Sequence, residues 1–203
     1  MHPHTIIFIG PHGSGKGTQI EKLDAVMRAA YPRERVVTIQ TGRLFRALAK
    51  ENETEQESYT GTHLRDTLNT GIWQPDFLTT ALWGNVMIAE VDPLCHLLMD
   101  GFPRTRAQAE VLAGAFDFYK RQDIIVVNLN VSDEVARVRM KSRARLDDTE
   151  VVIEKRLRLY NQETPPVIEF YRARSQTTVL DIDATQTIEG IHESILQGLG
   201  LHS

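Results

Sequence analysis

The chain has 203 residues and a formal net charge of −4 at pH 7, with 41% hydrophobic and 25% charged residues. A chain of this size and composition is typical of one globular domain with a sizeable core. The negative balance argues against a nucleic-acid binder that neutralises many phosphates. The single cysteine, Cys95, excludes an internal disulfide framework and a cysteine-rich zinc site. Its apolar neighbours predict a buried structural thiol.

The apolar stretches are all shorter than the roughly 18 residues needed to span a bilayer. The run at residues 6–9 is also too short for the core of a signal peptide, and glycines follow it at once. With the cysteine usage, these patterns predict a soluble cytoplasmic protein without nucleic-acid or membrane partners.

In chain order, short apolar runs alternate with longer amphipathic stretches, which predicts an α/β fold with a parallel sheet. We predict strands at residues 5–9, 36–39, 96–99, 124–131 and 178–182. These runs are rich in Ile, Val and Leu without strict alternation, as expected for strands that are covered on both faces.

We predict helices between these strands, at residues 15–31, 42–50, 58–69, 75–90, 106–119, 133–143, 149–162, 165–174 and 187–196. Ser132 and Thr149 occupy N-cap positions, and the pair Pro165-Pro166 separates two helices because proline favours the first helical turn. The polar, acidic residues 51–57 predict an exposed mobile turn. Neither an internal repeat nor a long linker divides the chain, so we predict a single domain over residues 1–203.

A glycine-rich turn follows the first predicted strand and precedes a long helix, with the sequence Gly10-Pro11-His12-Gly13-Ser14-Gly15-Lys16-Gly17-Thr18. A phosphate-binding loop requires this setting. Glycines let backbone N–H groups converge on phosphate oxygens, and the following helix adds its positive N-terminal end. Lys16 supplies a full charge. The alternative is a flexible turn with a chance lysine, and the strand and helix around the loop argue against it.

The spacing of this loop, with Gly17 between Lys16 and Thr18, resembles the loop of adenylate kinases and their nucleoside monophosphate kinase relatives. The resemblance covers nearly the whole chain in order, from Ile6 to Leu196. It implies a P-loop nucleoside triphosphate hydrolase-type three-layer fold, with a parallel five-stranded sheet and helices on both faces. It also implies that the loop binds ATP with Mg²⁺, through Gly13, Ser14, Gly15, Lys16, Gly17 and Thr18.

Two segments resemble parts of the family's acceptor site, and the resemblance implies that they bind AMP. The residues Thr41-Gly42-Arg43-Leu44-Phe45-Arg46 resemble the TG-x-x-x-R element of a small helical excursion, here residues 41–74. In that element Thr41 would lie near the adenine and Arg46 would clamp the phosphate, whereas Arg43 replaces the family's usual aspartate. Residues 71–76 resemble a segment that lines the adenine with Ile72, Trp73 and Gln74. The alternative for Trp73 is an ordinary core tryptophan.

A third segment combines an apolar strand with a polar end. The strand delivers Asp100 to its carboxyl end, where ligands bind in open α/β sheets, and an acid there can hold Mg²⁺ through water. The sequence Asp100-Gly101-Phe102-Pro103-Arg104-Thr105 resembles the family's acceptor motif. The resemblance implies that Gly101, Phe102 and Arg104 contact AMP and that Gln108 hydrogen-bonds the adenine. In this family, residues such as Thr41 and Gln108 favour AMP over pyrimidine monophosphates.

Phosphoryl transfer spreads negative charge over the transferred group, so catalysis needs several cations that converge on one point. Arginine is suited to this task because it stays charged and binds phosphate with two N–H groups. Four arginines match the family's pattern, and the alternative is a solvated helix surface: Arg139, Arg143, Arg145 and Arg156. The resemblance implies that Arg139 and Arg143 contact ATP, and that Arg145 and Arg156 contact AMP.

The acidic pair Asp147-Asp148 resembles the family pair that orients these arginines in the closed state. Only Ala144 separates Arg143 from Arg145, so the resemblance implies a minimal lid at residues 140–148, too short for a four-residue zinc site. Gln186 lies where the family's last loop approaches the ATP adenine, and Ala184 replaces the glycine of that loop.

The sequence predicts a nucleoside monophosphate kinase that reversibly transfers the γ-phosphoryl group of ATP to AMP, giving two ADP. The expected catalytic residues are Lys16, Arg104, Arg139, Arg143, Arg145 and Arg156, and we expect a monomer. A UMP/CMP-type kinase is the nearest alternative. A kinase acting on a sugar or shikimate-like hydroxyl would have no use for the acceptor motifs, and a non-catalytic nucleotide-binding module would bind ATP without turnover.

Overall fold

The computed structural model describes residues 3–51, 58–143 and 148–201. Within them, the strands are β1 (Thr5–Ile9), β2 (Val36–Gln40), β3 (His96–Asp100), β4 (Ile124–Asn130) and β5 (Thr177–Asp183). They form one parallel sheet in the order β2-β3-β1-β4-β5. Each strand confirms a predicted one. Phe8 of β1 lies opposite Asp100 of β3, so the turn after β1 and the acid that ends β3 share the carboxyl edge of the sheet.

Each predicted helix is also present in the described part of the chain: α1 (Lys16–Ala30), α2 (Thr41–Glu51), α3 (Tyr59–Leu68), α4 (Asp76–Glu90), α5 (Arg106–Phe118), α6 (Asp133–Ser142), α7 (Glu150–Glu163), α8 (Pro165–Arg172) and α9 (Ile188–Leu199). The side chains of Ser132 and Thr149 accept hydrogen bonds from backbone N–H groups of α6 and α7, which confirms both N-caps. Prolines occupy the first turn of α8, as predicted.

Helices cover both faces of the sheet. Because alternate residues of each strand point to opposite faces, each face has an apolar cluster of its own. On one face, Ile7 and Ile9 pack with side chains of α4, α5 and α8. On the other face, Ile6 and Phe8 pack with side chains of α1 and α9. The predicted three-layer α/β fold is confirmed, and the two-sided burial explains why the strand sequences do not alternate.

Two smaller apolar clusters lie apart from these layers. Phe45 and Ala49 of α2 pack with Leu64 of α3 and with partly buried leucines of α4. Helices α6 and α7 share a cluster of their own, around Met140 and Ile153. The two clusters support the helices that flank the carboxyl edge of the sheet.

Two predictions fall beyond the described residues: most of the turn at 51–57, and the centre of the proposed lid, residues 144–147. Cys95 is a free cysteine and is buried, as predicted. In the described ranges, none of the helices has both the length and the apolar character that crossing a membrane would require.

Candidate active site

The turn after β1 depends on glycines in backbone conformations that other residues rarely adopt. Gly13 and Gly15 have φ angles of 86° and 95°. A Cβ atom on Gly13 would lie 2.5 Å from the backbone oxygen of Ala136 in α6, so this position has no room for a side chain. Helix α1 begins at Lys16 with no acidic residue in its first turn and no side-chain cap. Its first N–H groups therefore form a site for an anion.

Lys16 folds back over this turn. Its Nζ donates to the backbone oxygens of Gly10 at 2.7 Å and of the next residue at 2.8 Å. Burial lowers the pKa of Lys16 to about 8; the carboxylate of Asp100 acts to raise it, and the guanidinium groups of Arg104 and Arg143 act to lower it. The ammonium is therefore mostly charged at neutral pH, in a position to meet a phosphate.

A cavity of about 600 Å³ lies beside the turn, between the carboxyl edge of the sheet and helices α2 and α3. Nine of the residues predicted to contact AMP line this cavity: Thr41, Arg46, Ile72, Trp73, Gln74, Gly101, Arg104, Gln108 and Arg156. Arg143, predicted to contact ATP, lines it as well. The fold thus brings together residues that are separated by more than a hundred positions in the sequence.

Arg104 is held at the inner wall of the cavity. Its Nε donates to the backbone oxygen of Gly101 at 2.7 Å, and its Nη1 donates to Nε2 of His12 at 3.3 Å. Burial lowers the pKa of Arg104 to about 10, while Asp100 acts to raise it and Arg156 to lower it. The guanidinium is therefore charged at neutral pH and has further N–H groups for an anion.

Gln108 is buried at the base of the cavity. Its Oε1 accepts a hydrogen bond from the backbone N–H of Arg104 at 2.8 Å, and its Nε2 donates to Oδ1 of Asp76 at 2.7 Å. Asp76 also accepts a hydrogen bond from the hydroxyl of Thr105. These bonds fix the amide plane of Gln108, and each amide atom keeps one further hydrogen-bonding position.

Three buried polar atoms around the cavity have no hydrogen-bond partner in the described part of the chain: Nε1 of Trp73, Nε2 of Gln74 and Oδ1 of Asp100. A buried polar group without a partner costs about 1–3 kcal/mol, so such atoms indicate a ligand or water. Trp73 and Gln74 offer donors to a base, and the free oxygen of Asp100 fits a water molecule bound to Mg²⁺.

Asp148 joins two of the predicted arginines. It accepts hydrogen bonds from Nε and Nη2 of Arg143 at 2.5 and 2.9 Å, and from Nη1 of Arg156 at 2.7 Å. Its side chain is only 1% exposed. Because both guanidinium groups share one buried carboxylate, Arg143 of the α6 end and Arg156 of α7 are held side by side at the cavity.

Arg139 lies further along α6, where its Nη1 donates to the backbone oxygen of Ala184 at 2.7 Å. Gln186 is exposed on the same loop, and its Nε2 donates to the backbone oxygen of Asp183 at 3.3 Å. Neither Arg139 nor Gln186 lines the cavity that Arg104 lines.

Two of the residues predicted to contact AMP are not found at the cavity. The side chain of Phe102 is 1% exposed and stacks on Trp83 with a centroid distance of 5.4 Å, so it belongs to the core and leaves only its backbone for a ligand. Arg145 lies outside the described residues. Arg43, the departure from the usual aspartate, forms an ion pair with Glu21 of α1.

Several residues that line the cavity could not be predicted from the sequence. Lys50 and Arg65 add two cations to the wall, but neither belongs to a recognisable motif. His12 belongs to the phosphate loop after β1. Its contact with Arg104 could not be predicted, because it depends on β3 lying next to β1 in the sheet. Among the described residues, no group of three or more His, Cys, Asp or Glu side chains is placed to hold a metal ion.

The site combines an anion site made by the backbone of the loop after β1 with a second anion site made by the side chains of the cavity. Comparisons with known proteins show which family has this arrangement. A family model described as adenylate kinase matches residues 8–176. A protein named adenylate kinase from Corynebacterium urealyticum is 34% identical over 197 residues, which cover 96% of this chain and 98% of that protein. Adenylate kinase 1 from Schistosoma mansoni is 36% identical over 194 residues, which cover 94% and 89%. The resemblance inferred from the motifs is confirmed: the chain belongs to the adenylate kinase family.

Proposed function

We propose that this enzyme transfers the γ-phosphoryl group of ATP to AMP, reversibly, and gives two ADP. The observation that carries the proposal is the meeting of two phosphate sites at one edge of the sheet. Lys16 begins α1 after β1, Arg104 follows β3, and the loop residue His12 lies within hydrogen-bond distance of Arg104. A donor phosphate on the loop would therefore face an acceptor phosphate on Arg104.

On the donor side, the backbone N–H groups from Gly13 to Thr18 surround the ATP phosphates, and Lys16 neutralises the β and γ oxygens. Mg²⁺ would enter with ATP as part of the substrate and would supply positive charge to its phosphates. Asp100 would hold a water molecule of that ion through Oδ1, which has no hydrogen-bond partner among the described residues. In this proposal Arg139 and Gln186 also contact ATP, and Gln186 does so beside the adenine.

On the acceptor side, AMP fills the cavity between β3 and α2. Arg46 and Arg104 clamp its phosphate, while Thr41, Trp73 and Gln108 surround the adenine. Ile72, Gln74 and the backbone of Gly101 and Phe102 complete the wall. The AMP phosphate is already anionic at neutral pH, so it attacks without a general base.

Catalysis then rests on position and charge. Arg143 and Arg156, held together by Asp148, stabilise the charge of the phosphoryl group in flight, and Arg145 joins them from the lid. The single-domain kinase core carries an acceptor excursion at residues 41–74 and a minimal lid at 140–148. Closure of that excursion excludes water, since hydrolysis competes with transfer.

The enzyme acts as a cytoplasmic monomer in this proposal, with no zinc and with ATP and AMP as its partners.

The first experiment measures ADP formation with Mg-ATP and with AMP, CMP, UMP or GMP in parallel. We expect kcat/KM for AMP to exceed the other values by at least about 100-fold, because a site built to hydrogen-bond a base rejects bases that leave its groups unpaired. Equal or higher values for UMP or CMP would favour the pyrimidine alternative. ATP binding without turnover on any acceptor would favour the non-catalytic module.

The second experiment uses a bisubstrate mimic in which two adenosines are joined through phosphates. It should bind with one molecule per chain and compete with both ATP and AMP. A high rate of ATP hydrolysis without AMP would contradict the proposed exclusion of water.

A further inference from the structure

His12 belongs to the donor loop, yet its ring reaches the acceptor side. It lines the 600 Å³ cavity and also a small cavity of about 30 Å³ next to Lys16 and Phe102. Nη1 of Arg104 lies 3.3 Å from Nε2 of His12. This hydrogen bond is a direct link between the loop proposed to bind ATP and the arginine proposed to bind the acceptor phosphate.

The chemistry of the two partners fixes the direction of this bond. A guanidinium group only donates, so Nε2 of His12 must accept and the ring proton must sit on Nδ1. Burial, and after it the positive charges of Arg104, Lys16, Arg156 and Arg143, lower the pKa of His12 well below 6.5. The ring is therefore neutral at pH 7, which is the form that can accept the hydrogen bond.

The contact completes the orientation of Arg104. The backbone oxygen of Gly101 holds Nε at 2.7 Å, and the guanidinium carbon lies 5.5 Å from the centre of the Trp73 ring. His12 adds a second fixed point at Nη1. An arginine side chain has many rotamers in solution, and fixing them before a ligand binds removes an entropic cost of binding.

We propose that His12 is a positioning residue that holds Arg104 ready for the acceptor phosphate, so that a residue of the ATP loop sets the affinity for AMP. This inference rests on the proposed role of Arg104 in binding the acceptor. A cation at position 12 would repel the guanidinium group, whereas the neutral imidazole orients it without adding charge.

The test compares His12→Leu with His12→Gln in steady-state kinetics. Leucine removes the acceptor, and we expect KM for AMP to rise about tenfold, the scale of one hydrogen bond to a charged group, while KM for ATP changes less than about twofold. Glutamine can place its amide oxygen near the position of Nε2, so it should bring KM for AMP back to within about threefold of the starting value. His63→Gln, on an exposed face of α3 and outside the cavity, is the control substitution and should leave both constants unchanged.

A pH series separates positioning from simple packing. As pH falls, protonation of His12 removes its lone pair and repels Arg104, so KM for AMP should rise more steeply in the parent enzyme than in His12→Gln. The ratio of the KM values for AMP of the two proteins at each pH cancels the titration of AMP itself. Lys16 and the three arginines that face the ring stay charged over this acidic range.

Three outcomes would overturn the inference: a rise in KM for ATP rather than AMP, equal effects of leucine and glutamine, or parallel pH profiles. Thermal melting of each variant shows whether a loss comes from misfolding. If Arg104→Ala leaves KM for AMP unchanged, the proposed acceptor site itself fails. If Arg104→Ala raises it and His12→Leu does not, only the positioning role fails.

Discussion

The two phosphate sites of this molecule are built in different ways. The loop after β1 uses backbone N–H groups and positive φ glycines, and it is seated on a strand that is buried on both faces. The acceptor cavity uses side chains from α2, α3, α4, α5 and α7 and from the segments that follow α3 and β3, and α2 and α3 share a small apolar cluster of their own. One continuous segment therefore positions the binding groups of the loop. The binding groups of the cavity are brought together only by the packing of several helices and strands.

The two sites are sensitive to different kinds of substitution. A substitution in the loop changes the backbone conformation, and the positive φ angles there favour glycine. A change in the cavity acts through one side chain, and its neighbours can remain in place. Substitutions at each site test this difference.

Arg104→Ala should give the largest loss. Removing the guanidinium group leaves the acceptor phosphate without its inner cation, and we expect turnover to fall by about 10³-fold or more, by analogy with arginine fingers. Steady-state kinetics with Mg-ATP and AMP measures the loss. Arg106→Ala is the matched control, because Arg106 pairs with Glu110 on the exposed face of α5; it should stay within twofold. A loss below tenfold in Arg104→Ala would remove this residue from the catalytic machinery.

Gly13→Ala should damage the donor site more than the acceptor site, which feels the loop only through His12. Its φ of 86° and the 2.5 Å approach of the Ala136 oxygen force the loop to shift, and we expect ATP affinity to fall about 100-fold, as a loop shifted by about an ångström loses its alignment. Calorimetric titrations with ATP and with AMP compare the two sites. Gly84→Ala, where a Cβ meets nothing within 4 Å in α4, should keep both affinities and add up to about 1 kcal/mol of stability. Equal losses for ATP and AMP would contradict the separation of the two sites.

The donor site should also respond to pH through Lys16. Its pKa of about 8 in the free enzyme rises when phosphates bind, so ATP binding takes up a proton above that pH. We expect the affinity for ATP to fall by up to about tenfold per pH unit above pH 8, while below pH 8 it stays level. Binding measured in buffers of different ionisation enthalpy reports the proton directly. Lys16→Arg keeps the charge and should lose this slope; a slope that persists would assign the proton to another group.

The smallest effect concerns stability rather than either site. Burial lowers the pKa of His96 below 6.5 in spite of the nearby carboxylate of Glu34. The unfolded chain therefore binds more protons than the folded one as pH falls below 6.5, and the melting temperature should decrease there. His96→Asn keeps an acceptor for the backbone N–H of His4 and should flatten the dependence. An unchanged slope would exclude His96 as its source.

The sequence was sufficient to predict the fold and the donor loop, because their signals are local. Strand, glycines, lysine and helix follow one another without interruption, and the caps at Ser132 and Thr149 act on N–H groups three residues away. The pairing of acidic and basic residues near the proposed lid was also indicated by residues close together in the sequence. Asp148 contacts Arg143 and Arg156, in line with the expectation that it orients them.

The rest depended on how strands and helices come together. The contact between His12 and Arg104 exists because β1 and β3 are neighbours in the sheet, although they are far apart in the chain. Phe102 was expected at the ligand, but the turn after β3 aims its ring at Trp83. No pattern in the sequence links Lys50 and Arg65, and only the packing of α2 against α3 brings both to the cavity.

The separate apolar cluster of Phe45, Ala49 and Leu64 has a consequence for how the enzyme can be tuned. Free energy stored in a small cluster governs local opening, whereas the large layers on the sheet govern global unfolding. Leu64→Ala would lower the free energy of opening the AMP side directly, and it should affect the melting of the whole domain less than an equal truncation in the layers on the sheet. Product release and heat tolerance can therefore change to different extents, through different sets of residues.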